Sequence, residues 1–158
     1  MVSSIFFPKK GAVHSILFVS SGIIRPPLPA RRALQSMLDS MKENSLFPAS
    51  SLTELPKLPV RMFQAVVLFF HEDREKLNPD ALDVLDQFVR DGGGLLAINA
   101  ASASFKDDSG YQEILGGHLE AYGPEDTYTI SPTKPQDDLF GEIPGFEVHH
   151  KVYLHACD

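Results

Sequence analysis

Three short stretches of this sequence hold side chains that can move a proton or grip a polar molecule. The first is His71-Glu72-Asp73, directly after the apolar run Ala65-Val-Val-Leu-Phe-Phe70. An imidazole titrates near neutral pH, so His71 is the candidate for proton transfer and Glu72 a candidate contact for a polar ligand. The second is Asn99-Ala-Ala-Ser-Ala-Ser104. The Asn99 amide both donates and accepts hydrogen bonds, which suits a positioning or polarising group, and Ser102 and Ser104 can bond a hydroxylated ligand. No Gly-x-Ser-x-Gly surrounds either serine, so neither reads as a nucleophile. The third is Ser20-Ser-Gly-Ile-Ile-Arg25, where Ser21, Gly22 and Arg25 form a small-residue turn that ends in a cation. Each stretch also has an ordinary structural reading. Polar residues after a strand make a solvated turn, acids favour the approach to a helix, and serines brace loops.

Other chemistries find little support. The six histidines, His14, His71, His118, His149, His150 and His155, form no HExxH pattern, and there is no calcium loop or cysteine cluster. If 148–156 is a strand, His149 and His155 share a face with Lys151 and Tyr153, but a metal would need ligands from elsewhere. No metal and no cofactor is therefore expected. Neither GxGxxG nor a Walker pattern is present, which weakens a nucleotide or phosphate-binding reading. Cys157 is an isolated thiol near the C-terminus.

These stretches need elements to position them. Ser15 to Ser20 is a nearly continuous apolar run, the pattern of a strand covered on both faces in a parallel sheet. Ala30, Ala33, Leu34, Met37, Leu38 and Met41 follow at helical spacing, with Pro29 in the first turn. A short edge strand is expected around Phe47, limited by Pro48. Ala65 to Phe70 is a second buried strand. Asn78 then caps a helix with Pro79 at its first position, and Ala81, Leu82, Leu85, Phe88 and Val89 form its apolar stripe. Gly92 to Gly94 end that helix, the first glycine as a left-handed cap. Leu95 to Ile98, apolar throughout, is expected to be a central strand. Ser109-x-x-Gln112 reads as a capping box for a short helix that Gly116-Gly117 close. Strands are expected at 127–130 and 148–156, separated by the proline-rich stretch 132–144. Alternating strands and helices make a doubly wound α/β sheet, in which ligands bind beyond the carboxyl ends of the strands where the order reverses. The turns 20–25, 71–74 and 99–104 should meet there.

The chain has 158 residues, 43% hydrophobic and 22% charged, enough for one globular domain. The net charge is −7 and no basic patch is present, so no nucleic-acid partner is expected. The apolar run 16–19 is too short for a membrane span or a signal segment, and the single cysteine points to a reducing cytoplasm.

The run Phe88-Val-Arg-Asp-Gly-Gly-Gly-Leu-Leu-Ala-Ile-Asn-Ala-Ala-Ser102, with Tyr111-x-x-Ile-Leu-Gly-Gly117 after it, resembles the trehalose-utilisation (ThuA-like) family, whose pattern is a glycine run, a strand, Gly-Ile-His-Ala and later Tyr-x-x-Leu-Leu-Gly-Gly. The likeness spans 65–154. It implies a flavodoxin-like three-layer sandwich with a mostly parallel sheet, similar to class I glutamine amidotransferases. In those enzymes the matching turn is Gly-Ile-Cys on a strained elbow; here it reads Ala97-Ile98-Asn99. An amide is not a usable nucleophile, so glutaminase chemistry is not expected. Two further positions depart from the family: Tyr122 where a histidine is common, and His150-Lys151 where an acidic pair is common.

The resemblance implies a single ThuA-like domain, 1–158, lacking the later strands of longer relatives. It implies a small-molecule ligand, a sugar or sugar derivative of carbohydrate metabolism. His71 and Asn99 are the catalytic candidates; Ser21, Gly22, Arg25, Glu72, Ser102 and Ser104 are the ligand-binding ones. The alternative is a non-catalytic amidotransferase-like domain that binds a small ligand or a partner protein. Val152 and Leu154 on an open edge suggest either a homodimer that uses this segment or a C-terminus frayed in the monomer.

Overall fold

The computed structural model describes residues 14–21, 28–40, 44–72, 76–133 and 143–157. They fall into two compact units that divide between His118 and Leu119, with Cys157 returning to the first.

The first unit is an α/β unit around a four-stranded parallel sheet. Its strands are β1 (His14–Ser20), β2 (Asn44–Ala49), β3 (Ala65–Phe69) and β4 (Gly94–Ala97), in the order β2-β1-β3-β4. This is the order of a flavodoxin-like sheet, and the chain reverses direction across the sheet between β1 and β3. The helices are α1 (Leu28–Ser40), α2 (Pro79–Arg90) and α3 (Ser109–Leu115). Right-handed crossovers from β1 to β2 and from β3 to β4 run in opposite directions, so they put α1 and α2 on opposite faces.

One face of the sheet, with Leu17 and Val19 of β1 and Val66 and Leu68 of β3, packs on Ala81, Leu85 and Phe88 of α2. Two 3-10 helices, Leu52–Lys57 and Val60–Met62, add Leu52, Leu55 and Val60 to the same core. These helices have no counterpart in the sequence reading, because one or two tight turns carry too little periodicity to show. On the opposite face Phe18 and Val67 are buried, and Leu38 of α1 with them. The α1 stripe is narrower than its spacing suggests: Met37 is 62% exposed and Ala33 is exposed too.

The end signals of α2 behave as read. The Asn78 side chain accepts from the Asp80 N–H at 2.9 Å, and Gly92 takes φ 93 after the helix. Gly93 answers a different need, since a Cβ there would stand 2.3 Å from the Phe88 ring. The cap of α3 differs from the sequence reading. Asp108, not Ser109, accepts from the Tyr111 N–H at 3.1 Å. The expectation of a central strand at 95–98 also changes. Among the described residues β4 is the last strand of its sheet, and Leu96 is 52% exposed. An unbroken apolar run shows that both faces can be buried, not that both are.

The second unit is a two-stranded sheet of β5 (Gly117–Ile130) and β6 (Phe146–Cys157). Tyr122 meets Tyr153, Thr127 meets His149 and Gly145 approaches Ile130, so the strands are antiparallel. The segment 152–156 therefore pairs with β5 and does not extend the parallel sheet. Both strands are longer than the sequence signal suggested.

Candidate functional site

The carboxyl ends of β1, β2 and β3 open onto a cavity of about 140 Å³. Ser21 lines it after β1, Ser51 and Thr53 after β2, and Phe70 and Glu72 after β3. Lys76, Leu77 and Asn78 close it from the approach to α2, and Leu52 and Phe105 supply apolar wall. A much smaller cleft adjoins the reversal point, lined by Ser21, Phe69, Phe70, Asn99 and Ala100. Ser21 belongs to both, so the turns after β1, β3 and β4 do meet at this end of the sheet, as the reversal rule requires.

The walls are fixed by polar ties. Glu72 is held through its backbone twice: its N–H donates to Ser104 Oγ at 3.0 Å, and its carbonyl accepts from the Phe105 N–H at 3.2 Å. Ser104 Oγ in turn donates to the Ala100 carbonyl at 3.0 Å. Asp108 accepts from the Leu77 N–H at 2.9 Å. The buried Tyr111 hydroxyl donates to the Ala101 carbonyl at 3.0 Å, and burial raises its ionisation well above the ordinary value. These bonds join the β3 exit, the 3-10 turn Asn99–Ala103 and the start of α3 into one brace.

Two residues of the brace hold left-handed backbone. Asn99 has φ 60 and Phe105 has φ 48. Asparagine tolerates that region better than most residues, whereas for a bulky aromatic it is an outlier. Phe105 stays there because its ring lies edge-on to Phe70 at 6.0 Å and to Tyr111 at 5.1 Å between centroids. Asn99 directly follows the last bond of the β4 exit, Ile98 N–H to the Leu68 carbonyl at 2.9 Å. A sharp turn with positive φ straight after a strand is the elbow geometry expected at this position.

No protein-family model and no curated protein matches the chain. Among solved structures, one from Bacteroides uniformis, provisionally described as ThuA-like, superposes with a TM-score of 0.69 at 12% identity. The match covers 95% of this chain and 65% of that one. The chain has a ThuA-like fold. It spans just under two thirds of the length of that neighbour.

Within this ThuA-like fold the expected site residues separate into groups. Ser21, Glu72 and Asn99 line the two openings. Ser102 is half-buried and its hydroxyl lies 3.4 Å from the Asn99 carbonyl, so it braces the elbow from within. Ser104 is 1% exposed and its hydroxyl is engaged twice, by the Glu72 N–H and the Ala100 carbonyl. His71 is exposed and lines neither opening. Gly22 and Arg25 lie outside the described residues, as do Asp73 and Arg74. Ser51, Thr53 and Lys76 line the same cavity and were not among the expected residues. The signal for the first two was present: a run of small polar residues directly after the edge strand, at the same end of the sheet as the other turns.

A larger groove of about 470 Å³ lies between α2 and the two 3-10 helices, lined mainly by Leu55, Leu58, Val60, Val84 and Phe88. On its rim Gln87 donates to Asp91 at 2.7 Å and Arg61 sits 3.5 Å from the same carboxylate. Size alone does not make it the site, because small-molecule sites need polar groups that converge on the ligand. Among the described residues no set of three or more His, Cys, Asp or Glu side chains could hold a metal ion, and no helix is long and apolar enough to cross a membrane.

Proposed function

We propose that this chain is a ThuA-like protein of carbohydrate metabolism that binds a sugar derivative in the cavity beyond β1, β2 and β3. The observation that carries this reading is the cavity wall: three hydroxyl residues, a carboxylate and an ammonium group together with two aromatic residues. Hydroxyls and carboxylates match the donors and acceptors of a polyol, and aromatic faces suit the C–H surface of a sugar ring. The provisional ThuA-like description of the structural neighbour supports the same direction.

In this reading Asn99, which lines the cleft beside the cavity, does not attack the ligand, so glutamine is not a substrate. Proton transfer by His71 is the weaker half of the proposal, because its side chain is exposed and outside both openings. That observation favours the second reading, a non-catalytic domain that binds a small ligand or a partner. A homodimer through 152–156 and a cytoplasmic location belong to the proposal as well. Exposed Leu154 and Phe146 support the first and the single cysteine the second.

Thermal unfolding in the presence of monosaccharides and glycosides tests the reading. At least one sugar should raise Tm, and Thr53→Val should remove that rise without lowering the Tm of the free protein. Thr53 is exposed, so its loss leaves the core intact. No rise with any sugar, or a rise indifferent to Thr53→Val, would refute sugar binding at this cavity.

A further inference from the structure

A strand at the edge of a sheet presents a row of free N–H and C=O groups, which is a template for another strand. Among the described residues β5 and β6 form a sheet of two strands, so each keeps one open edge. The two edges differ. β5 carries Glu120, Glu125 and Asp126 with no lysine or arginine, and Pro124 interrupts its row of donors. Pairing two copies of β5 would bring acids together with no lysine or arginine to meet them. β6 has no proline; its one acidic residue is Glu147 and its one lysine or arginine is Lys151.

Glu147 and Lys151 lie at equal distances on either side of His149. When identical strands pair across a two-fold axis, residue i faces the partner's residue j and j faces the partner's i. An axis at His149 sets Glu147 opposite the partner's Lys151 and Lys151 opposite the partner's Glu147, so both opposite-charge pairs form together. Any other antiparallel register loses both. On the other side of the sheet the same register sets Phe146 opposite the partner's Val152, an aromatic against a β-branched residue. Phe146, Glu147, His149, His150 and Lys151 are exposed. Among the described residues no hydrogen bond or ion pair engages the Glu147 carboxylate or the Lys151 ammonium. The Lys151 carbonyl lies 3.0 Å from His150 Nδ1, and its oxygen keeps a second lone pair for a ladder bond.

We propose that two copies of this chain pair through the free edge of β6, antiparallel and centred on His149, into a four-stranded sheet β5-β6-β6-β5. This rests on the homodimer reading, moves its contact to 146–152 and stands apart from sugar binding. An antiparallel sheet needs three or more strands to be stable in water, and the pairing supplies them. The edge 146–152 spans about 23 Å at about 3.3 Å per residue. That is small for a permanent interface, so the dimer should exchange with monomer.

Sedimentation velocity on the full chain, over a hundredfold range of concentration, tests the pairing. The protein should shift from monomer towards dimer as concentration rises. Lys151→Glu and Glu147→Lys should each weaken association at least tenfold, because each sets like charges opposite one another twice. Both side chains are exposed, so neither reversal disturbs a core. An equimolar mixture of the two variants should recover the native affinity, since both pairs are then complementary. The register is read separately in a Cys157→Ser background, which removes the exposed native thiol. There His149→Cys should give a disulfide-linked dimer on mild oxidation, and Thr129→Cys on β5 should not. A monomer at every concentration would overturn both this inference and the homodimer reading. A dimer that neither reversal weakens, or reversals that fail to rescue each other on mixing, would leave a homodimer but remove this edge from it. A cross-link as strong from Thr129→Cys as from His149→Cys would move the contact to β5.

Discussion

The sheet-bearing unit and the β5–β6 hairpin are built from strands of the same chain, yet they hold together differently. In the sheet unit Leu17, Val19, Val66, Leu68 and Leu85 are at most 1% exposed, and the loops above them are tied by buried polar bonds. In the hairpin no described residue is buried, and Tyr122 is 61% exposed. Its specific contacts are edge-on rings, Tyr122 with Tyr153 at 5.2 Å, and the exposed Thr127–His149 bond at 3.1 Å. A two-stranded ribbon of this kind is marginal by itself in water. The candidate site therefore stands on the unit that can hold side chains to fixed positions. Exposed strands can vary their side chains at little cost, which is why the hairpin says less about function.

The largest test of this contrast is a matched pair of truncations. Leu68→Ala removes a fully buried side chain from the centre of the sheet and should cost about 2–5 kcal/mol. Leu154→Ala trims a side chain already 49% exposed and should change stability by no more than about 0.5 kcal/mol. Urea denaturation of both variants measures the difference. A Leu154→Ala loss as large as that of Leu68→Ala would mean that the hairpin packs on something in solution, a second copy of the chain included.

The next test reads the brace beneath the site. The neutral Tyr111 phenol is favoured by burial, so its ionisation lies above the ordinary value near 10 in the folded protein only. The sign follows directly. Below pH 10 both states hold the proton and the stabilisation is intact. As pH rises past 10 the unfolded chain loses the proton first, and stability falls by about 1.4 kcal/mol per pH unit from this group. Tyr111→Phe should lose about 1 kcal/mol at neutral pH, with its bond to the Ala101 carbonyl gone. Between pH 10 and 11 it should lack this part of the alkaline slope. Parallel slopes for the two proteins would show that Tyr111 is open to water.

The same contrast governs what the sequence made legible. Buried strands and capped helices announce themselves, because an apolar run such as 65–70 and a cap such as Asn78-Pro79 are forced by burial and by unsatisfied N–H groups. The reversal rule pointed to this end of the sheet, where Ser21, Glu72 and Asn99 line the two openings. Direction was not legible. His71 follows β3 as expected, but nothing local fixes whether its ring faces the cavity or the solvent. Ser104 looked like a ligand contact because a hydroxyl in a turn can bond a ligand or a backbone, and only tertiary structure shows that Glu72 N–H takes it. Ser51 and Thr53 were passed over because the edge strand before them has a weak signal, interrupted by Pro48. In 117–157 the alternation is blurred, since neither face of the ribbon is covered enough to select apolar residues.

The smallest expected effect concerns the elbow itself, and it asks whether the site shares the rigidity of the unit beneath it. Asn99 has φ 60, a region that costs most side chains about 1–2 kcal/mol per residue and costs glycine almost nothing. Such a conformation persists only where its surroundings over-determine it. The surroundings here are specific: the Ile98 N–H bond to Leu68, the Ser102 hydroxyl near the Asn99 carbonyl, and the engaged Ala100 and Ala101 carbonyls just beyond. If they hold the turn, Asn99→Ala should destabilise the protein by about 1 kcal/mol, because alanine pays the steric cost without asparagine's local hydrogen bonding. Asn99→Gly should be neutral or slightly stabilising. The order of the two variants matters more than either value, since both delete the amide and differ only in backbone freedom. Equal stability for Ala and Gly would show that the turn relaxes when its side chain is removed. The elbow would then be as loosely held as the hairpin, and Asn99 could not position a ligand against Ser21.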